Sequence, residues 1–414
     1  MRVVYSSVLV TLMCWGIAEA QSQEEPVDPP VAAADAKDSA KPDRKAFDAA
    51  VIHWQNVTAE YATLAVDWHV SEPSAHDRET RIRWGDLLYQ SRQAFNAATI
   101  EAIKLVEIGL RHYPDVSVFL LQSVMYRSEL EWFELSGPSV AVLLSQKKDT
   151  EQLLQETSVE RGKMEAFAAI SYFMTEDFDN AEKFLTLAEK AGALDVKFSG
   201  LLSAIPQVRE LAKAEYHARD KDANRGDLPR VRLDTSKGPI VIELFEDDAP
   251  GTVANFISLV EKGFYDGNPF YQVIKGTMAM TGDPNGDGSG NAGYHIEDEN
   301  QLPTARPIVR GALSMAKLPD PSGGSSGSVA NSASSQFIIA LAPFGTKKSG
   351  MTIFGRIVEG IDTVVMLTEL KVDEAGKKGQ KAPDLIFRAE VLRKRDHAYE
   401  PVKVELPGVH GHVH

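Results

Sequence analysis

The chain has 414 residues, 43% of them hydrophobic and 25% charged, which is too long for one ordinary core and too apolar for disorder throughout. Its formal charge of -15 supplies no phosphate-neutralising stripe, which argues against nucleic acid or an anionic membrane as the main partner. The single cysteine is Cys14, so everything after it lacks a disulfide, a thiol nucleophile or a thiolate metal site.

Residues 1–20 read as a secretory signal. Arg2 precedes an apolar run from Val3 to Ile17, and Ala18 and Ala20 have the spacing of a signal-peptidase site. The run is short for a bilayer span, so cleavage near Gln21 and no membrane span afterwards are expected, with export to a periplasm or the exterior. Residues 21–45 are rich in Pro, Ala and alternating charge without aromatic residues, and are expected to be a flexible tether.

From 46 to 223 the apolar positions recur at three and four, which predicts an all-helical domain. In "ATIEAIKLVEIGLRHY" the residues Ala102, Ile103, Val106, Leu110 and Tyr113 can share one helical face. Ala169, Tyr172, Ala181 and Ala188 occupy positions where tetratricopeptide repeats want small or aromatic residues, and Ala102 precedes Pro114 similarly. The resemblance to that repeat is partial. It implies a groove able to take a protein partner; a plain helical bundle with packing alanines is the alternative.

"RDKDANRGDLP", Arg219 to Pro229, is charged and punctuated by Gly and Pro, and marks a boundary. The period then changes. "RVRLDTSKGPIVIELF" alternates as two strands joined at a Ser-Lys-Gly turn, with Val231, Leu233, Ile240, Ile242 and Leu244 facing inward. Helices are expected near Thr252–Lys262 and Ile361–Leu370 in a domain spanning 229–395. Residues 396–414, with His410, His412 and His414, are expected to be a flexible tail. Asp283, Asn285 and Asp287 begin like a calcium loop, but Tyr294 stands where a bidentate Glu is needed, so a surface loop is expected. The Gly- and Ser-rich stretch Leu318–Ser335 is predicted to be mobile.

At "DDAPGTVANFISLVEKGFYDGNPFYQVI" the sequence resembles the cyclophilin family of peptidyl-prolyl isomerases, and "GDPNGDGSGNAGYHIEDE", "GALSMA", "SSQFIIA" and "FGRIVEGID" follow in that family's order. The resemblance implies a closed eight-stranded antiparallel β-barrel capped by two helices, able to fold as a fragment, after the helical N-terminal domain. It also implies isomerisation of proline-containing polypeptides, assisting protein folding, without cofactor or metal.

Prolyl isomerisation must overcome a barrier of about 18–20 kcal/mol that arises from amide resonance. An enzyme helps by favouring the twisted, pyramidal nitrogen over the planar ground state. In the family an arginine stands beside that nitrogen; here the matching strand reads Phe270, Tyr271, Gln272, Val273, Ile274, Lys275, Gly276, Thr277. Gln272 takes the arginine's place and brings an amide dipole without charge or a five-donor fork. The resemblance gives Gln272 and Gln336 the catalytic positions. It assigns substrate binding to Phe270, Met278, Met280, Ala316, Lys317, Phe337, Ile338 and Met351. Two functions fit: an isomerase weakened by the missing charge, and a non-catalytic prolyl-peptide-binding or adaptor protein.

Overall fold

The computed structural model of the chain describes residues 44–70, 77–320, 327–343, 350–370 and 382–405. The expected signal, nearly all of the tether, and the C-terminal histidines lie outside them. Among the described residues no helix is long and apolar enough to cross a membrane.

The N-terminal part is helical, as its apolar period requires: α1 (Lys45–Val70), α2 (Arg78–Ile108), α3 (Pro114–Leu130), α4 (Ser136–Ser145), α5 (Lys148–Thr157), α6 (Arg161–Met174), α7 (Phe178–Lys190) and α8 (Leu201–Arg225). Asp77 caps α2 by accepting the Thr80 N–H. The expected single face from Ala102 to Tyr113 is interrupted, because α2 stops at Gly109, whose φ of 144° no side chain favours. Leu110 and Tyr113 reach the same core from a separate 3-10 turn. Helices α6 and α7 form an antiparallel hairpin in which Ala169, Ala181 and Ala188 are fully buried and Tyr172 stacks on Phe184 at 5.6 Å. The expected boundary moves: Arg219–Arg225 continue α8, and the break comes at Gly226, with φ of 67°.

Beyond it the chain becomes a curled antiparallel sheet. In chain order the elements are β1 (Arg230–Thr235), β2 (Gly238–Leu244), α9 (Pro250–Glu261), β3 (Gln272–Ile274), β4 (Met278–Thr281), β5 (His295–Ile296), β6 (Ala312–Met315), β7 (Phe337–Ala340), β8 (Ile353–Glu359), α10 (Ile361–Val365), β9 (Ile386–Arg393) and β10 (Lys403–Val404). The main sheet runs β3-β4-β7-β6-β8-β2-β1-β9. All five inward positions expected of the first hairpin are fully buried. Phe256 on α9 seals the sheet's concave side against Tyr265, Phe337 and Phe354, at centroid separations of 5.1–5.4 Å. Gly263 ends that helix in the left-handed region, at φ 68°.

Closure is where the sequence expectation fails. Among the described residues β3 and β9 share no ladder; the approach to β3 meets the start of β9 at an isolated bridge, Pro269 with Leu385, and through the N–H bonds of Gly267 to Ile386 O, Ile386 to Asn268 O and Phe270 to Asp384 O. β3 is only three residues long, and Pro269 has no N–H to extend pairing, so the sheet is an open half-barrel. The second helix is also shorter than expected, ending at Val365. The expected tail begins later than residue 396. β10 pairs with β5, and the Tyr399 hydroxyl donates to Glu246 at 2.9 Å.

The helical part is packed against the sheet through buried charge. Arg92 of α2 donates to Asp362 at 2.8 Å and to the Thr363 hydroxyl at 2.8 Å, bridging to the start of α10. Gly85 of α2 lies so close to the first hairpin that a Cβ there would stand 2.6 Å from Thr235 O. Arg306, 6% exposed, enters between the two parts, with Asp222 at 2.7 Å, Asp248 at 2.6 Å and Glu215 at 3.3 Å. A fragment of 229–395 alone would leave Asp362 without Arg92, and Arg306 with Asp248 but without Glu215 and Asp222.

Candidate functional site

Four strands place one residue each in a row on the convex face. The register pairs Gln272 with Met280, Met280 with Ile338, and Ile338 with Ser314. Strand alternation turns these side chains away from the aromatic core. A second row pairs Ile274 with Met278 and Met278 with Ala340. Met351 closes one side, with its Sδ 4.0 Å from the Ser314 hydroxyl. Half-buried apolar side chains beside one neutral amide make a surface that can hold an apolar ring.

Seven of the ten expected site residues border this face: Gln272, Met278, Met280, Gln336, Ile338, Met351 and the backbone at Ala316. Phe270 and Phe337 do not. Both are fully buried, Phe337 within the aromatic cluster and Phe270 behind β3, so they shape the wall from beneath. Lys317 is held away from solvent, donating to Asp298 at 2.6 Å and to Gly350 O at 3.0 Å. Ala316 gives its N–H to Gln336 O at 3.0 Å, which joins β6 to β7 just past their ladder.

Charge near Gln272 is tied down. Lys275, three residues on, donates to Val365 O. Burial pulls its ammonium below the ordinary lysine value, with Glu131 of the helical part opposing that pull. At the lower end of the face Arg310 binds Glu134 at 2.7 Å and also donates to Leu341 O, while Leu341 N–H pairs with Thr277 O. The turn after α3 thus abuts the start of β4 and the end of β7. Thr346 and Lys347, in the segment where the resemblance expects an aromatic wall, lie outside the described residues.

The Gly-rich loops are more fixed than composition predicts. Asp283 accepts N–H bonds from Asn285 at 2.8 Å, from Asp287 at 3.0 Å and from Gly288, so its carboxylate organises a turn. Gly282, at φ 86°, sits where a Cβ would strike Ser335 O. In the stretch expected to be mobile, residues 327–335 are anchored by hydroxyls that hold backbone groups: Ser335 to Gly282 O at 2.8 Å and Ser334 to Tyr294 O at 2.6 Å. Residues 321–326 of that stretch lie outside the described set. Sequence reasoning also missed Tyr271, whose hydroxyl donates to Gln336 Oε1 at 2.6 Å and is pushed well above the ordinary tyrosine value by burial.

The curled sheet, its capping helix and this face make a half-barrel of the prolyl-isomerase type. Residues 230–391 match the sequence profile of the family described as cyclophilin type peptidyl-prolyl cis-trans isomerase/CLD. The chain is 40% identical over 140 residues to peptidyl-prolyl cis-trans isomerase-like 1 of Mus musculus, covering 33% of this chain and 77% of that protein. It is 32% identical over 169 residues to the protein of the same name in Neurospora crassa, covering 40% of this chain and 96% of that one. A crystal structure of a cyclophilin type peptidyl-prolyl cis-trans isomerase from Cryptosporidium parvum matches with 27% identity, a TM-score of 0.35, and coverage of 41% of this chain and 99% of that one. The chain belongs to the cyclophilin-type peptidyl-prolyl cis-trans isomerase family.

Proposed function

We propose that the convex face binds proline-containing polypeptides and isomerises their Xaa-Pro bonds at a rate limited by Gln272, in the service of folding exported proteins. The observation that carries this reading is the register itself: Gln272, Met280 and Ile338 stand side by side on adjacent strands. An apolar ring seated on Met280 and Ile338 would bring its nitrogen toward Gln272. The amide offers that nitrogen a neutral dipole as it becomes pyramidal, which stabilises the twisted state less than a guanidinium would.

A second reading, binding without turnover, draws support from Met280. A thioether directly opposite Gln272 offers the amide only a weak acceptor across the pair, which aims it less firmly than a carbonyl or amide would. Isomerisation of an Xaa-Pro peptide by the full chain, with peptide affinity measured separately, separates the two. We expect catalysis above the spontaneous rate; affinity without catalysis favours the binder, and neither affinity nor catalysis would falsify both.

Export is proposed from the apolar run Val3–Ile17 ahead of Ala18 and Ala20. Intact mass of the exported protein should correspond to a start at Gln21, and a product retaining Cys14 would refute that site. A protein partner on the helical part is proposed on the α6–α7 hairpin, whose buried alanines match the tetratricopeptide spacing.

A further inference from the structure

Gln336 is bonded on three sides within the protein. Its Nε2 donates to Gly288 O at 3.0 Å and to Gly290 O at 2.7 Å, and its Oε1 accepts from the Tyr271 hydroxyl at 2.6 Å. A primary amide has two hydrogens, so both are engaged. The two facing carbonyls also decide which end of the amide is nitrogen, because the reverse orientation would set oxygen against oxygen. Those carbonyls cannot drift away easily: Asp283 holds their loop through three backbone N–H groups, and a Cβ at Gly290 would collide with that same carboxylate. The amide oxygen has two lone pairs, and Tyr271 takes one. Gln336 directly precedes β7, and continuing that strand's alternation by one residue puts it on the side of Ile338, the apolar face described above, and opposite Phe337.

We propose that Gln336 meets a bound peptide only as an acceptor, through the remaining lone pair of Oε1, and thereby selects ligands carrying a backbone N–H next to the Xaa-Pro pair. This rests on the prolyl-peptide reading and adds a polarity to it. Proline itself has no backbone N–H. The face therefore favours a single proline flanked by ordinary residues and discriminates against runs of consecutive prolines.

The test uses the full chain, one Xaa-Pro peptide, and analogues in which each flanking backbone N–H is replaced in turn by an ester oxygen. One ester should bind wild type about three- to tenfold more weakly than the all-amide peptide, the effect of one net hydrogen bond. The same ester and amide should bind Gln336→Leu alike. Equal binding of every ester by wild type, or a penalty that persists in Gln336→Leu, overturns the proposal. Should the leucine variant misfold, the side-chain amide protons of Gln336 give an independent reading in wild type. Both should stay protected from exchange with peptide bound, and transfer of either to a peptide carbonyl overturns the acceptor role. Failure of even the all-amide peptide to bind is a separate result that removes the prolyl-peptide reading, and this inference with it.

Discussion

Replacing Arg306 by alanine is expected to destabilise the protein by about 3–5 kcal/mol, the range for removing one partner from a buried ionic cluster. The side chain is 6% exposed and lies 4.2 Å over the Phe245 ring, with carboxylates of Asp222, Asp248 and Glu215 around its guanidinium. Burial opposes its charge, yet those three carboxylates together hold its pKa above the ordinary arginine value. Without the guanidinium, Glu215 and Asp222 remain buried on one helix with less to neutralise them. Urea unfolding followed by tryptophan emission measures the loss. A companion variant, Arg306→Met with Glu215→Gln, Asp222→Asn and Asp248→Asn, should recover most of it, because all four charges of the cluster are then removed together. A loss below about 1 kcal/mol for the alanine variant would show that water solvates this junction as it does surface pairs.

Gln272→Arg should raise the isomerisation rate by up to about a hundredfold, equivalent to roughly 3 kcal/mol, the scale of a positioned transition-state donor. A guanidinium there would meet the lone pair that develops on the proline nitrogen. The register limits the gain, because Met280 sits directly across from Gln272 and offers an arginine only a weak thioether acceptor. The double variant Gln272→Arg with Met280→Gln should therefore exceed the single one. Rates of wild type, single and double variants on one Xaa-Pro peptide decide the matter. If the double variant is no faster than wild type, the missing charge is not what limits this face.

The parts of the fold legible in sequence are those whose signal is local. The first hairpin could be read from alternation because Val231, Leu233, Ile240, Ile242 and Leu244 are near in sequence and share a face. Gly263 could be read because a helix end needs a left-handed residue there. Phe337 faces the core by a rule the sequence carries: with Ile338 and Gln336 outward, the residue between them must point inward. The serines of 327–335 looked like linker because composition does not say whether hydroxyls find backbone partners. Openness of the sheet depends on where two distant edges fail to meet, which no local pattern encodes. The same holds for Arg92 and Asp362, 270 positions apart, and for Arg310 and Glu134, 176 apart.

The position of Arg306 in the chain also gives its cluster a place in time. Synthesis proceeds from the N-terminus, so α8 leaves the ribosome carrying Glu215 and Asp222 while their shared cation, 84 residues after Asp222, does not yet exist. Arg219, 3.0 Å from Glu215, is the counter-charge α8 brings with it to that pair. The second half of α8 is thus electrically unfinished until the strands that follow have been made and Arg306 arrives between the two parts. The last helix of the N-terminal region thus completes its charge pairing only with the half-barrel that is made after it.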